Sequence, residues 1–173
     1  QFKSDRLKTI VVVAPRILLA NQLCEEFLEF IDDVDVLHVH SGETHHDSTT
    51  KSQKIEEWYW RSKRHQLIFT TYHSLHKIQD ATAMLPDTVY FDEAHNAVQK
   101  NFIEAVEHHS MYVVRNYFFT ATPKHSFTPF KTGMNDTDIF GGVICNVGAP
   151  KLVRQGYILP VSYTHLRAHE TVH

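Results

Sequence analysis

Short β-branched apolar runs alternate along this chain with longer segments whose apolar residues recur at helical spacing. Residues 8–14, KTIVVVA, are closed by Pro15 and read as a strand buried on both faces. Residues 16–31 then place Ile17, Leu18, Leu19, Leu23, Phe27, Leu28 and Ile31 near a helical period. The alternation continues with strands expected at 35–40, 66–70, 88–91 and 116–120, and helices at 54–63, 74–84, 96–109 and 149–155. Leu85-Pro86 ends the third of these helices, and Gly156 suits a C-terminal cap on the last. Residues 41–52 are polar and read as loop, and Gly, Asp and Thr break the pattern over 128–142. Strands alternating with helices predict an α/β fold, a parallel sheet flanked by helices.

Composition narrows the class without naming a function. At 173 residues, 42% hydrophobic and 21% charged, the chain suits one globular domain. No apolar run reaches the ~20 residues of a membrane helix, and no basic-then-apolar leader is visible, so an intracellular, cytoplasmic setting is expected. The net charge of −3 gives no global field to attract nucleic acid, so any such contact is local. Cys24 and Cys145 define no disulfide framework.

Four strand ends carry polar chemistry. The first expected strand runs into Pro15-Arg16, the third into Thr70-Thr71-Tyr72-His73-Ser74, and the fifth into Thr120-Ala121-Thr122-Pro123. The fourth ends in Asp92-Glu93-Ala94-His95. In a parallel sheet all carboxyl ends share one edge, where the ligand crevice of an open α/β fold forms. There one carboxylate can hold Mg²⁺ and its neighbour can orient a water against a phosphate. Taken alone, Asp-Glu-Ala-His also fits a helix start, with Asp as cap and Glu complementing the dipole. The partner motif of a nucleotide site is missing: no G-x-x-x-x-G-K-S/T loop occurs, and Gly141-Gly142 are the only adjacent glycines.

On these residues the chain resembles the first RecA-like domain of superfamily 2 helicases and translocases, a P-loop NTPase fold. Asp92 to His95 resemble motif II, Thr120-Ala121-Thr122 motif III, and Val12-Val13-Ala14-Pro15-Arg16 with Leu18-Leu19 and Gln22-Leu23 motif Ia. Phe69-Thr70-Thr71-Tyr72 resemble motif Ic, and His40-Ser41-Gly42 hold roughly the Ib position. The nearest likeness is to type III restriction subunits and phage DNA helicases. It implies ATP and Mg²⁺ as cofactors, with Asp92 holding the metal and Glu93 polarising the attacking water. It implies that His95 links hydrolysis to movement through Thr120 and Thr122. It also implies that Pro15, Arg16, Thr70 and Thr71 touch a sugar–phosphate backbone, DNA rather than RNA, without reading bases. A second RecA-like domain is the implied partner. The alternative is a non-catalytic nucleic-acid-binding or scaffold module of degenerate helicase fold.

Two further readings concern the ends and the histidines. Residues 161–171, VSYTHLRAHET, resemble the translation of a sequencing-library transposon adapter. The expected organisation is therefore a partial helicase ATP-binding domain over 1–160, its phosphate loop lying before Lys8, and a non-native tail over 161–173. An ordinary polar C-terminal strand is the alternative. Among 14 histidines, His38 and His40 share one strand face and His45-His46 follow in the loop. Imidazoles suit Zn²⁺ or Ni²⁺, but no cysteine is expected nearby and nothing there fixes the geometry. Incidental affinity is the expectation. Trp58 is expected in the core, and Arg61, Lys63 and Arg64 are read as a solvated helix end.

Overall fold

A computed structural model describes residues 6–156. Its described residues through Gly141 form one compact unit and those from Gly142 a second. The first unit is built on a six-stranded sheet in the order β3-β2-β4-β1-β5-β6. The strands are β1 (Thr9–Ala14), β2 (Val34–Val39), β3 (Asp47–Ser48), β4 (His65–Thr71), β5 (Thr88–Phe91) and β6 (Arg115–Phe118), and every pairing is parallel. The helices are α1 (Ile17–Leu28), α2 (Ser52–Arg61), α3 (Leu75–Asp80), α4 (Ile103–Tyr112) and the short α5 (Thr137–Phe140). This is the parallel α/β arrangement that the strand–helix alternation predicts, as the RecA-like resemblance also implies.

The period-two geometry of the strands sorts their side chains onto two cores. Val11 and Val13 of β1 join Leu37, Ile68, Val89 and Phe91 on one face. There α2 adds Ile55 and Trp58, α3 adds Leu75 and Ile78, and α4 adds Ala105 and Val106. Ile10, Val12 and Ala14 join Leu67 and Phe69 on the other face, covered by Ala20 and Cys24 of α1. Central strands buried on both faces explain why β1 and β4 read as continuous apolar runs rather than alternating ones.

The departures from expectation are local. Leu18 is 77% exposed, so the apolar stripe of α1 is narrower than its sequence suggests. The single helix expected over 96–109 is two pieces, a 3₁₀ turn (Ala94–Val98) and α4. Between them Gln99 is extended and its amide bonds the Asn96 carbonyl, closing the first piece. The loop after β2 contributes β3, a two-residue edge strand beside Leu37 and His38. β6 stops at Phe118, so Thr120 lies beyond its strand rather than in it. Cys24 is buried on α1, and burial pushes its thiol up to about 11. The second unit contains α6 (Ala149–Arg154), followed by Gly156 at φ 77, the left-handed stop that glycine permits. The remainder of the expected domain, 157–160, and the adapter-like tail, 161–173, lie outside the described residues. Among the described residues no helix is long and apolar enough to cross a membrane.

His109 gives the fold a pH dependence. It is 2% exposed on α4, and its Nδ1–H donates to the Ala105 carbonyl at 2.7 Å. Burial lowers its pKa to about 4, and the nearby His108 adds to this. The unfolded chain therefore binds this proton below about pH 6.5 while the folded chain refuses it down to about 4. Stability is full above that window and falls as pH drops through it, by an amount on the order of 3 kcal/mol from this group. Urea unfolding at pH 7 and pH 4.5 should show the loss, and His109→Leu should remove its share, leaving the part due to buried His38, whose pKa is also lowered to about 4.

Candidate functional site

The carboxyl ends of β4, β1, β5 and β6 lie side by side on one edge of the sheet. The hydrogen-bond ladder runs on past the strands and pins the turns beyond them. The Asp92 amide donates to the Val13 carbonyl at 2.8 Å and the Phe119 amide to the Phe91 carbonyl at 2.9 Å. The Ala94 amide then donates to the Phe119 carbonyl at 2.8 Å, which ties the acidic turn to the segment leading to Thr120. Glu93, between them, adopts the left-handed conformation (φ 46, ψ 53). A non-glycine residue held there costs about 1–2 kcal/mol and persists only where its surroundings enforce it. Both the amide and the side-chain nitrogen of Asn96 donate to the Glu93 carbonyl, at 3.0 and 2.9 Å, and supply that restraint.

Asp92 is half-buried. Burial raises its carboxyl pKa above the usual range, the Glu93 amide opposes this, and the charges of Glu93 and Glu26 add to it. Among the described residues no cation pairs with Asp92. Beneath it the Tyr72 hydroxyl donates to the Asp92 carbonyl at 2.6 Å, and burial beside both carboxylates raises the phenol's pKa, so it stays a donor.

His95 joins the acidic turn to the end of β6. Its Nδ1 lies 2.9 Å from Thr120 Oγ1, 3.2 Å from Thr122 Oγ1 and 3.4 Å from Glu93 Oε2. The Thr122 amide also donates to Thr120 Oγ1 at 3.1 Å. One nitrogen thus faces two hydroxyls and one carboxylate. With Nδ1 bare, a hydroxyl donates to it; with Nδ1 protonated, the carboxylate can accept. Asp92, Glu93, His95, Thr120 and Thr122 form a single neighbourhood.

The expected strand-contacting residues divide. Half-buried Pro15 and exposed Arg16 line a groove of about 330 Å³ with Ile17, Ser41, Thr71 and His73. The N-terminus of α1 opens on this groove with no side-chain cap. Thr70 is elsewhere. It is fully buried, and its hydroxyl donates to the Val39 carbonyl at 2.7 Å inside the sheet. The expectation that Thr70 touches a polymer backbone is corrected by this geometry: in this conformation its side chain braces β4 against β2.

The family model described as type III restriction enzyme, res subunit, matches residues 1–125. The chain belongs to that family. It is also similar in fold to two solved structures. One is a nuclease-deletion mutant of the Type ISP restriction-modification enzyme LlaGI in complex with a DNA substrate mimic, with a TM-score of 0.73 and 20% identity over 90% of this chain. The other is the Pyrococcus furiosus Hef helicase domain, with a TM-score of 0.54 and 17% identity over 79%. The chain spans 14% of the first protein's length and 28% of the second's. No curated protein matches it. With these two structures the res-subunit chain shares the RecA-like α/β fold.

Three features of this res-subunit site escape sequence reading. Tyr72 supports Asp92 from a nearby strand end, Glu26 approaches from α1, and Ser41 with His73 completes the groove. The polar run after β4 hinted at Tyr72 and His73, and the resemblance of His40-Ser41-Gly42 to motif Ib at Ser41; nothing pointed to Glu26. The oxygen-only donors and absent counter-cation at Asp92 fit a hard divalent cation such as Mg²⁺.

Proposed function

We propose that this chain is the acidic and coupling half of a nucleotide site in an ATP-dependent DNA translocase working inside the cell. The observation that carries the reading is His95, whose Nδ1 stands within reach of Glu93 on one side and of Thr120 and Thr122 on the other. Asp92 would hold Mg²⁺, which when bound would neutralise charge on the nucleotide's phosphates. Glu93, restrained in its left-handed turn, would orient the attacking water. Its altered charge would then be felt at His95 and passed to the threonines, which lie on the sheet edge that a second RecA-like domain would close upon.

Arg16, Pro15 and Thr71 would form part of the strand track. Uncapped amides at the start of α1 and one exposed guanidinium suit phosphates and carry no base information. The DNA substrate mimic bound to the LlaGI relative favours DNA over RNA. Because no phosphate-loop motif occurs among the 173 residues, the chain by itself should show no ATP turnover above background. Phosphate release with and without DNA measures this. Turnover by the chain alone that vanishes on Glu93→Gln would overturn the division of labour proposed here. A G-K-S/T loop in the coding sequence upstream of Gln1 would support the motor over a non-catalytic binding module.

A further inference from the structure

The histidines read from sequence as a loose cluster acquire a cysteine in three dimensions. Helix α1 packs Cys24 against the face of β2 that carries His38, and the loop after β2 folds His46 over it. The rings of His38 and His46 are parallel, with centroids 5.6 Å apart. The candidate ligand atoms of Cys24, His38 and His46 all lie within 4.8 Å of one another. The sequence-based expectation that no cysteine stands near these histidines is thereby corrected.

His38 is the decisive member. It is fully buried, and its Nε2 has no hydrogen-bond partner. Its Nδ1 is 3.0 Å from His40 Nε2, and His40 Nδ1 in turn accepts the Gly42 amide at 3.1 Å. That chain of bonds sets the tautomers. His40 bears its proton on Nε2 and donates it to His38 Nδ1, so neutral His38 carries its own proton on the orphaned Nε2. A buried polar atom without a partner costs about 1–3 kcal/mol and calls for a compensating role.

The structure assigns Cys24, His38 and His46 to a site for a borderline-soft transition metal of the Zn²⁺ class, with a fourth position open to water. Zn–S and Zn–N bonds of about 2.3 and 2.0 Å place the one sulfur and two nitrogens of a tetrahedral site roughly 3.3–3.5 Å apart. Ligand atoms at the 4.8 Å limit of the present spacing would therefore close by roughly 1–1.5 Å on binding. His46 is exposed on a loop and supplies the movement, while Cys24 and His38 are fixed by the core. Thiolate with two imidazoles selects Zn²⁺ over Mg²⁺ or Ca²⁺.

The protons balance. The Cys24 thiol becomes a thiolate and releases one proton to water. His38 passes its Nε2 proton through water to His40 Nδ1, which frees the metal-binding lone pair, and takes the His40 Nε2 proton on its own Nδ1. His40 takes a proton on Nδ1 and stays neutral. The Gly42 amide loses its acceptor, next to Ser41 in the Arg16 groove.

Chelator-treated chain is titrated with ZnCl₂, and with CoCl₂ as a spectroscopic reporter. One equivalent should bind, Co²⁺ should show a near-ultraviolet thiolate charge-transfer band, and the Gly42 amide should exchange faster. Cys24→Ser should abolish the band. His46→Ala, an exposed substitution that leaves the core intact, should weaken Zn²⁺ by about a hundredfold or more, since even outer contacts to a ligand are worth about 10–100-fold. Cys145→Ser should change neither. A band that survives Cys24→Ser, or Zn²⁺ affinity unchanged by His46→Ala, overturns the assignment.

Discussion

In a reading frame that supplies the phosphate loop, Glu93→Gln should lower DNA-stimulated ATP turnover by about two to four orders of magnitude, the usual contribution of a positioned general base. Nucleotide binding should survive. Gln keeps the size of the side chain, and Asp92, the group proposed to hold the metal, is untouched. The backbone contacts that fix the turn also survive, because they involve the Glu93 carbonyl and its neighbours rather than its carboxylate. What is lost is the charge proposed to polarise water and the acceptor that faces His95 at 3.4 Å. Phosphate release and titration with a fluorescent nucleotide separate the two effects. A fall of less than tenfold, or parallel loss of binding, would remove Glu93 from the role of base.

The placement of Glu93 was legible in sequence because it is local. Four residues ending an apolar strand bring two carboxylates to the sheet edge wherever the strand is parallel and central, and β5 is both. Grouping Thr120 and Thr122 with them needed a second strand beside the first, and β6 does lie beside β5. Thr70 shows the limit. Its sequence position is a strand end among groove residues, but register decides which way a strand side chain points, and Thr70 pairs with Val13 and Val39 within the sheet. Cys24 shows a different limit. It meets His38 through helix-on-sheet packing, for which no local spacing exists. The break of the expected 96–109 helix had a quieter cause: Asn96 bonds the backbone of Glu93 and Gln99 turns extended, a competition that apolar periodicity does not register.

Beneath the acidic turn lies an aromatic stack that links its stability to its geometry. Phe91 is fully buried, and its ring stacks on Phe118 at 4.5 Å with the planes 8° apart. Tyr72 stacks against Phe91 at 6.3 Å, and Phe118 meets Phe140 edge-on at 4.8 Å. Phe91→Ala should therefore destabilise the domain by about 3–5 kcal/mol, combining lost transfer free energy with a cavity that the flanking rings cannot fill. Phe119→Ala, one residue past β6 at a position 53% exposed, should stay within about 1 kcal/mol. Urea denaturation of the two variants measures the contrast. The sheet places Phe91 directly before Asp92, and Tyr72 touches both the Phe91 ring and the Asp92 carbonyl. A cavity at Phe91 consequently loosens the hydrogen bond that seats Asp92, so any molecules of Phe91→Ala that remain folded should bind Mg²⁺-nucleotide more weakly in the phosphate-loop-bearing protein. Equal stability of the two variants would mean that the stack is ornamental and that the turn is held by its backbone ladder alone.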